Sequence, residues 1–111
     1  MPHTPYYAVI FSSIRTDDAD ELYETTGKKF FALATQQPGY IGAESVSNGK
    51  NGITVTYWDT TENIKIWKRQ IDHLVAQKMG RELFYERYHV RIARVEREYQ
   101  WTKREVEEVE Q

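Results

Sequence analysis

Apolar and polar residues alternate, recur at helical spacing, and alternate again along this chain, and each change of period marks a new element. Tyr6–Arg15 carries Tyr7, Val9 and Phe11 on one face of an extended segment and Tyr6, Ala8, Ile10 and Ile14 on the other. Apolar residues on both faces predict a central strand. Thr16-Asp17-Asp18 then offers an N-cap, and Asp20 and Glu21 stand where a helix N-terminus favours negative charge. Ala19, Leu22, Tyr23, Thr26, Phe30, Leu33 and Ala34 recur at three- and four-residue spacing, which predicts a helix closed by Pro38-Gly39. Tyr40–Val46 and Ile53–Trp58 flank Ser47-Asn48-Gly49-Lys50-Asn51-Gly52, whose two Asn-Gly pairs offer the positive φ of a tight reversal. The segment reads as a β-hairpin.

Asp59-Thr60-Thr61 can cap a second helix whose core stripe is Ile64, Trp67, Ile71, Leu74, Val75 and Lys78 or Met79. Gly80 marks its end or a bend, and Arg81–Phe84 a further turn. From Tyr85 to Trp101 a strand pattern returns, with Tyr88, Val90 and Ile92 in one phase and Ala93, Val95, Arg97, Tyr99 and Trp101 in the other. The flip at Ile92/Ala93 predicts a β-bulge, or a strand passing from one packing environment to another. The order is β-α-β-β-α-β, an α+β ferredoxin-like domain over residues 1–101 with a four-stranded antiparallel sheet, followed by a charged tail over 102–111. Two helices cover one sheet face. Because the strands are apolar on both faces, the other face needs a cover, and homodimerisation through the sheets supplies it.

Composition narrows the partners. Lys+Arg 15 against Asp+Glu 17 leaves a net charge of −2, without the basic excess that nucleic-acid or anionic-membrane binding usually needs. Aliphatic or aromatic runs such as Ala8–Phe11 are too short to span a bilayer, and the first residues lack a secretion-signal layout, so a cytoplasmic protein is expected. No cysteine is present, which removes disulfides, thiolate metal sites and cysteine nucleophiles. Aromatic residues make up 14% of the chain, enough for either an oligomer interface or a pocket for a flat organic ligand. No phosphate-binding glycine loop or serine-nucleophile elbow occurs.

PGYIGAESV, ITVTYWDT and IKIWKRQIDHLVAQKMGRELFYERYHVRIARVEREY together resemble the antibiotic biosynthesis monooxygenase superfamily of dimeric α+β barrels. The Gly-Tyr after the first helix, Tyr57-Trp58, Trp67, His73, Gly80, Tyr85 and Tyr88 carry the likeness. It implies a homodimer and a cavity bordered by Trp67. Its chemistry would be cofactor-free oxygenation of an electron-rich aromatic or quinol-type molecule, or haem degradation, or small-molecule binding without turnover. The haem-degrading branch uses an Asn on the first strand and a His ten residues after the tryptophan. Here Tyr6–Arg15 holds no Asn and Gln77 stands at the second position.

Within that frame the candidate site is bordered by Trp67, Gln70, His73, Gln77, Tyr85 and Tyr88. At 100° per residue His73 falls off the core stripe, grouped with Ile66, Gln70 and Gln77 on a second face. A neutral imidazole there can act as base on an acidic phenol or enol. Trp67 would stack on the ligand ring, Tyr88 or Gln77 would hold its oxygen, and Gln70 and Tyr85 would line the cavity. Tyr57, by contrast, is expected in the core. Glu86-Arg87-Tyr88-His89 spells Glu-x-x-His, but in a strand this spacing puts the two side chains on opposite faces, so no metal site is expected.

Overall fold

The computed structural model describes residues 3–16, 20–78 and 85–103, with the side chains of 20–26 and 73–78 outside the description. The elements are β1 (Tyr6–Arg15), α1 (Asp20–Thr35), β2 (Tyr40–Asn48), β3 (Asn51–Trp58), α2 (Thr61–Lys78) and β4 (Tyr85–Val95). The strands form an antiparallel sheet in the order β2-β3-β1-β4, so β1 is central as its two apolar faces require. This is the α+β ferredoxin-like arrangement.

Local chemistry fixes the joints. Thr60 caps α2, its Oγ1 accepting from the Asn63 amide at 3.1 Å, while the Asn63 side chain donates to Asp59 Oδ1 at 2.8 Å. Gly39 adopts φ 85° at the turn into β2, and its carbonyl accepts from the Asp59 amide at 2.9 Å. A Cβ here would collide with the Asp59 carboxylate and the Asn63 amide. Thus one glycine allows the ends of β2 and β3 to meet the start of α2.

The hairpin is tighter than its sequence suggests. Strand pairing continues to Asn48↔Asn51, leaving Gly49 and Lys50 as the turn, and only Gly49 (φ 61°) uses the left-handed region there. Gly52 belongs to β3 and lies opposite Ser13. Ladder hydrogen bonds win over the loop preference of the second Asn-Gly pair.

The expected bulge at Ile92/Ala93 is absent. Pairing with β1 runs unbroken through Val9↔Ile92 and Ala8↔Ala93, and the register shifts instead between Ile14 and Arg15, opposite Tyr85–Arg87. The phase flip has the other cause: Tyr88, Val90 and Ile92 share the helix-side face, whereas Ala93 and Val95 lie on the opposite face beside Ala8 and Tyr6. The strand ends at Val95, short of the predicted Trp101, and Tyr99 and Trp101 beyond it are exposed. The expectations for the N-cap at Asp17-Asp18, the turn at Gly80 and Arg81–Phe84, and the tail from residue 104 lie outside the described residues.

Val9, Ala34, Trp58 and Ile64 form the buried core between sheet and helices, with Tyr7, Tyr40 and Trp67 packed against it. Among the described residues no helix is long and apolar enough to cross a membrane.

Candidate functional site

The helix-side face carries two aromatic groups at different ends of β1. Trp58, fully buried, has Tyr40 edge-on at 5.8 Å and Trp67 tilted against it at 5.0 Å between ring centroids. Four residues along β1, about 13 Å away at strand rise, Phe11 meets Tyr85 edge-on at 5.3 Å and stacks on Tyr88 at 5.4 Å. Tyr85 and Tyr88 also touch each other, at 5.6 Å, so the three rings form one cluster. The strand places Tyr88 beside Phe11 because Tyr88 pairs with Ser13, two residues along the same face.

The two indoles differ in one respect that bears on chemistry. Trp58 Nε1 donates to Thr56 Oγ1 at 2.8 Å. Trp67 Nε1 is buried and has no partner among the described residues. A sealed N–H without an acceptor costs about 1–3 kcal/mol, so its occurrence in a native site calls for an explanation. A ligand acceptor brought to Trp67 would supply the missing bond.

Gln70, expected to line the cavity, is exposed and exchanges amide hydrogen bonds with Gln37 just beyond α1, at 3.3 and 2.9 Å, so it ties α2 to the end of α1. Gln37 also donates to the Leu33 carbonyl at 3.1 Å, which fixes the tie to the last turn of α1. His73 and Gln77 belong to α2, but the roles expected of their side chains lie outside the described residues. Of the six candidates, the structure brings Tyr85 and Tyr88 together, sets Trp67 apart on the core, and bonds Gln70 to Gln37.

Tyr57 was expected in the core and lies instead, opposite Ala8, on the sheet face away from α1 and α2, which is helix-free among the described residues. There it meets Tyr6 edge-on at 6.0 Å. Tyr6 donates to Glu98 at 3.0 Å and Tyr57 to Glu44 at 3.4 Å. Both phenols titrate above the ordinary tyrosine range: burial is the main cause for each, with the carboxylates of Glu98 and Glu44 next. Sequence reasoning missed this phenol–carboxylate group. The signal was present in the alternation of β1, which puts Tyr6, Ala8 and Ile10 on the face away from the helices. Among the described residues no cluster of three potential metal ligands occurs.

The fold is shared with solved structures that include members of the antibiotic biosynthesis monooxygenase superfamily. Solved structures with this fold include a Nitrosomonas europaea protein of unknown function (TM-score 0.71, 8% identity, 91% of this chain and 99% of that one). A Bordetella bronchiseptica protein classed with the antibiotic biosynthesis monooxygenases follows at TM-score 0.64 and 17% identity, over 81% of this chain and 96% of that one. SnoaB of Streptomyces nogalater, a cofactor-independent oxygenase, superimposes at TM-score 0.63 and 10% identity, over 87% of this chain and 97% of that one. No family model matches the chain. By sequence it is 44% identical over 98 residues to the uncharacterized protein YqjZ of Bacillus subtilis, covering 87% of this chain and 85% of that one. The chain belongs to the same family as YqjZ.

Proposed function

We propose that the protein is a cofactor-independent monooxygenase acting on an electron-rich aromatic or quinol-type small molecule, as a homodimer paired through the helix-free sheet faces. The observation that carries this reading is Trp67, whose buried indole N–H lacks an acceptor among the described residues while its ring extends an aromatic wall. A flat substrate bearing a carbonyl or phenolate oxygen would satisfy both features. The likeness of fold to SnoaB supports the same reaction class.

In this reading Trp67 donates to the substrate oxygen and presses on its ring. His73 takes the acidic proton, and Tyr88, with Tyr85 and Gln77, holds the far side of the ring. The substrate anion supplies the electrons that reduce O2. One oxygen atom enters the product and the other leaves as water, with no electrons drawn from the protein. An aromatic contact contributes on the order of 1 kcal/mol beyond the area it buries, so polar anchors must supply orientation.

The test is oxygen uptake by the purified protein with a panel of hydroquinones and anthrone-type phenols. His73→Ala should abolish uptake while leaving the melting temperature nearly unchanged. Trp67→Ala should damage both, because that ring also packs on Trp58. Saturable binding of the same compounds without oxygen uptake would replace catalysis with a binding role, and a Soret band on hemin titration would redirect the reading to haem.

A further inference from the structure

The helix-free face of the sheet has a charge layout of its own. Successive rungs of side chains on this face can be read from the register, in the order β2, β3, β1, β4. The central rung is Glu44, Val55, Ile10, Arg91. The next is Val46, Ile53, Ser12, His89, and on the other side lies Gly42, Tyr57, Ala8, Ala93. Val46 and Ile53 are 69% and 47% exposed. The middle of the face is therefore apolar, with a carboxylate at one edge and a guanidinium at the other, on the same rung. Three strand spacings, about 14 Å, separate Glu44 from Arg91, too far for a bond within one subunit.

This layout selects its own partner. Consider two copies facing each other across the apolar strip. A two-fold axis running along the strands, between β3 and β1, sets each β2 over the other copy's β4, and Glu44 then meets the partner subunit's Arg91 twice. The same operation sets Val55 over the partner's Ile10. A two-fold axis perpendicular to the strands through this rung would instead stack Glu44 on the partner's Glu44 and Arg91 on the partner's Arg91. Like charges so placed repel at close range. Gly42, around which an added Cβ would find only open space, faces the partner's Ala93 in the favourable arrangement, so nothing bulky props the sheets apart there.

We infer that the helix-free face is self-complementary about an axis along the strands, with Glu44 of each subunit paired to the partner subunit's Arg91. The inference rests on the homodimer reading and goes beyond it by fixing the axis and the charge pair. Tyr57 prepares the contact by donating to Glu44 at 3.4 Å, which holds the carboxylate over the sheet. The face spans about 19 by 26 Å, so a pair of copies buries roughly 1,000 Å² of flat area, at the lower bound for a stable interface. At that size, charge complementarity decides between competing arrangements.

Sedimentation equilibrium on the full chain tests the pair. Glu44→Arg and Arg91→Glu should each raise the dimer dissociation constant on the order of 100-fold, since each creates two like-charge contacts. The combined variant should return to within about tenfold of wild type. Because the chain has no cysteine, a cross-link reports the axis independently. With a bis-maleimide reagent spanning about 10 Å, the spacing of sheets packed face to face, Glu44→Cys together with Arg91→Cys should give a covalent dimer, and Glu44→Cys alone should not. A wild-type dimer that tolerates both reversals, or that cross-links through Glu44→Cys alone, overturns the pair and leaves the dimer standing. A monomeric wild type overturns the homodimer reading itself.

Discussion

Replacing each core indole by phenylalanine separates the role of the ring from that of its N–H. Trp58→Phe removes about three buried heavy atoms, worth roughly 2 kcal/mol at full burial. It also deletes the Nε1 bond to Thr56 and leaves that buried hydroxyl without its donor, adding about 1 kcal/mol. The sum is about 3 kcal/mol. Trp67→Phe removes the same atoms from a half-buried site, for roughly 1 kcal/mol, and relieves an unpartnered N–H whose burial costs about 1–3 kcal/mol. The net change should lie between zero and about 2 kcal/mol of stabilisation. Thermal unfolding followed by circular dichroism would read the difference as a gap of about 12–20 °C between the two variants, at about 4 °C per kcal/mol for a chain of this size. Both must be compared at one protein concentration, because association raises the apparent melting temperature. Equal losses in the two variants would refute the reasoning, since they would mean that Trp67 Nε1 makes a bond in the free protein. If Trp67→Phe is stable but no longer binds a phenolic ligand that wild type binds, the N–H serves the ligand.

Three further outcomes follow from particular residues. Gly39→Ala should destabilise by about 3 kcal/mol, combining the left-handed backbone with a collision against Asp59 and Asn63, whereas Gly49→Ala, with open space around it, should cost only about 1 kcal/mol by urea titration. Tyr6 and Tyr57 have raised pKa values in the folded protein, so the stability they contribute is present below the unfolded value of 10.0 and is lost as pH rises through the folded values. Unfolding measured against pH, with tyrosinate absorbance in parallel, should show a loss above that value which Tyr57→Phe reduces; an unchanged alkaline limb would contradict the assignment. Gln70→Ala should leave both fold and oxygen uptake intact, losing at most about 0.5 kcal/mol for its exposed tie to Gln37, and a large loss of activity would return Gln70 to the site.

The element order and the identity of the central strand were legible in the sequence because they depend on local periodicity. Alternation over Tyr6–Arg15 and three- and four-residue spacing in the second helix are properties of a short stretch of chain, and the structure keeps both. What periodicity could not specify is which face of the sheet receives the helices, since a two-residue repeat labels two faces and names neither. Tyr57 was for that reason assigned to the core, although it lies on the helix-free face beside Tyr6 and Glu44. The same ambiguity made the phase flip at Ile92/Ala93 look like a bulge, when an unbroken ladder runs through it. Only the tertiary structure decided that Trp58 Nε1 finds Thr56 while Trp67 Nε1 finds no acceptor among the described residues, because a hydrogen bond depends on where two elements meet in space. It likewise decided that Glu44 and Arg91, 47 residues apart in the sequence, share one rung of one face, a relation created by strand order and register and by neither residue alone.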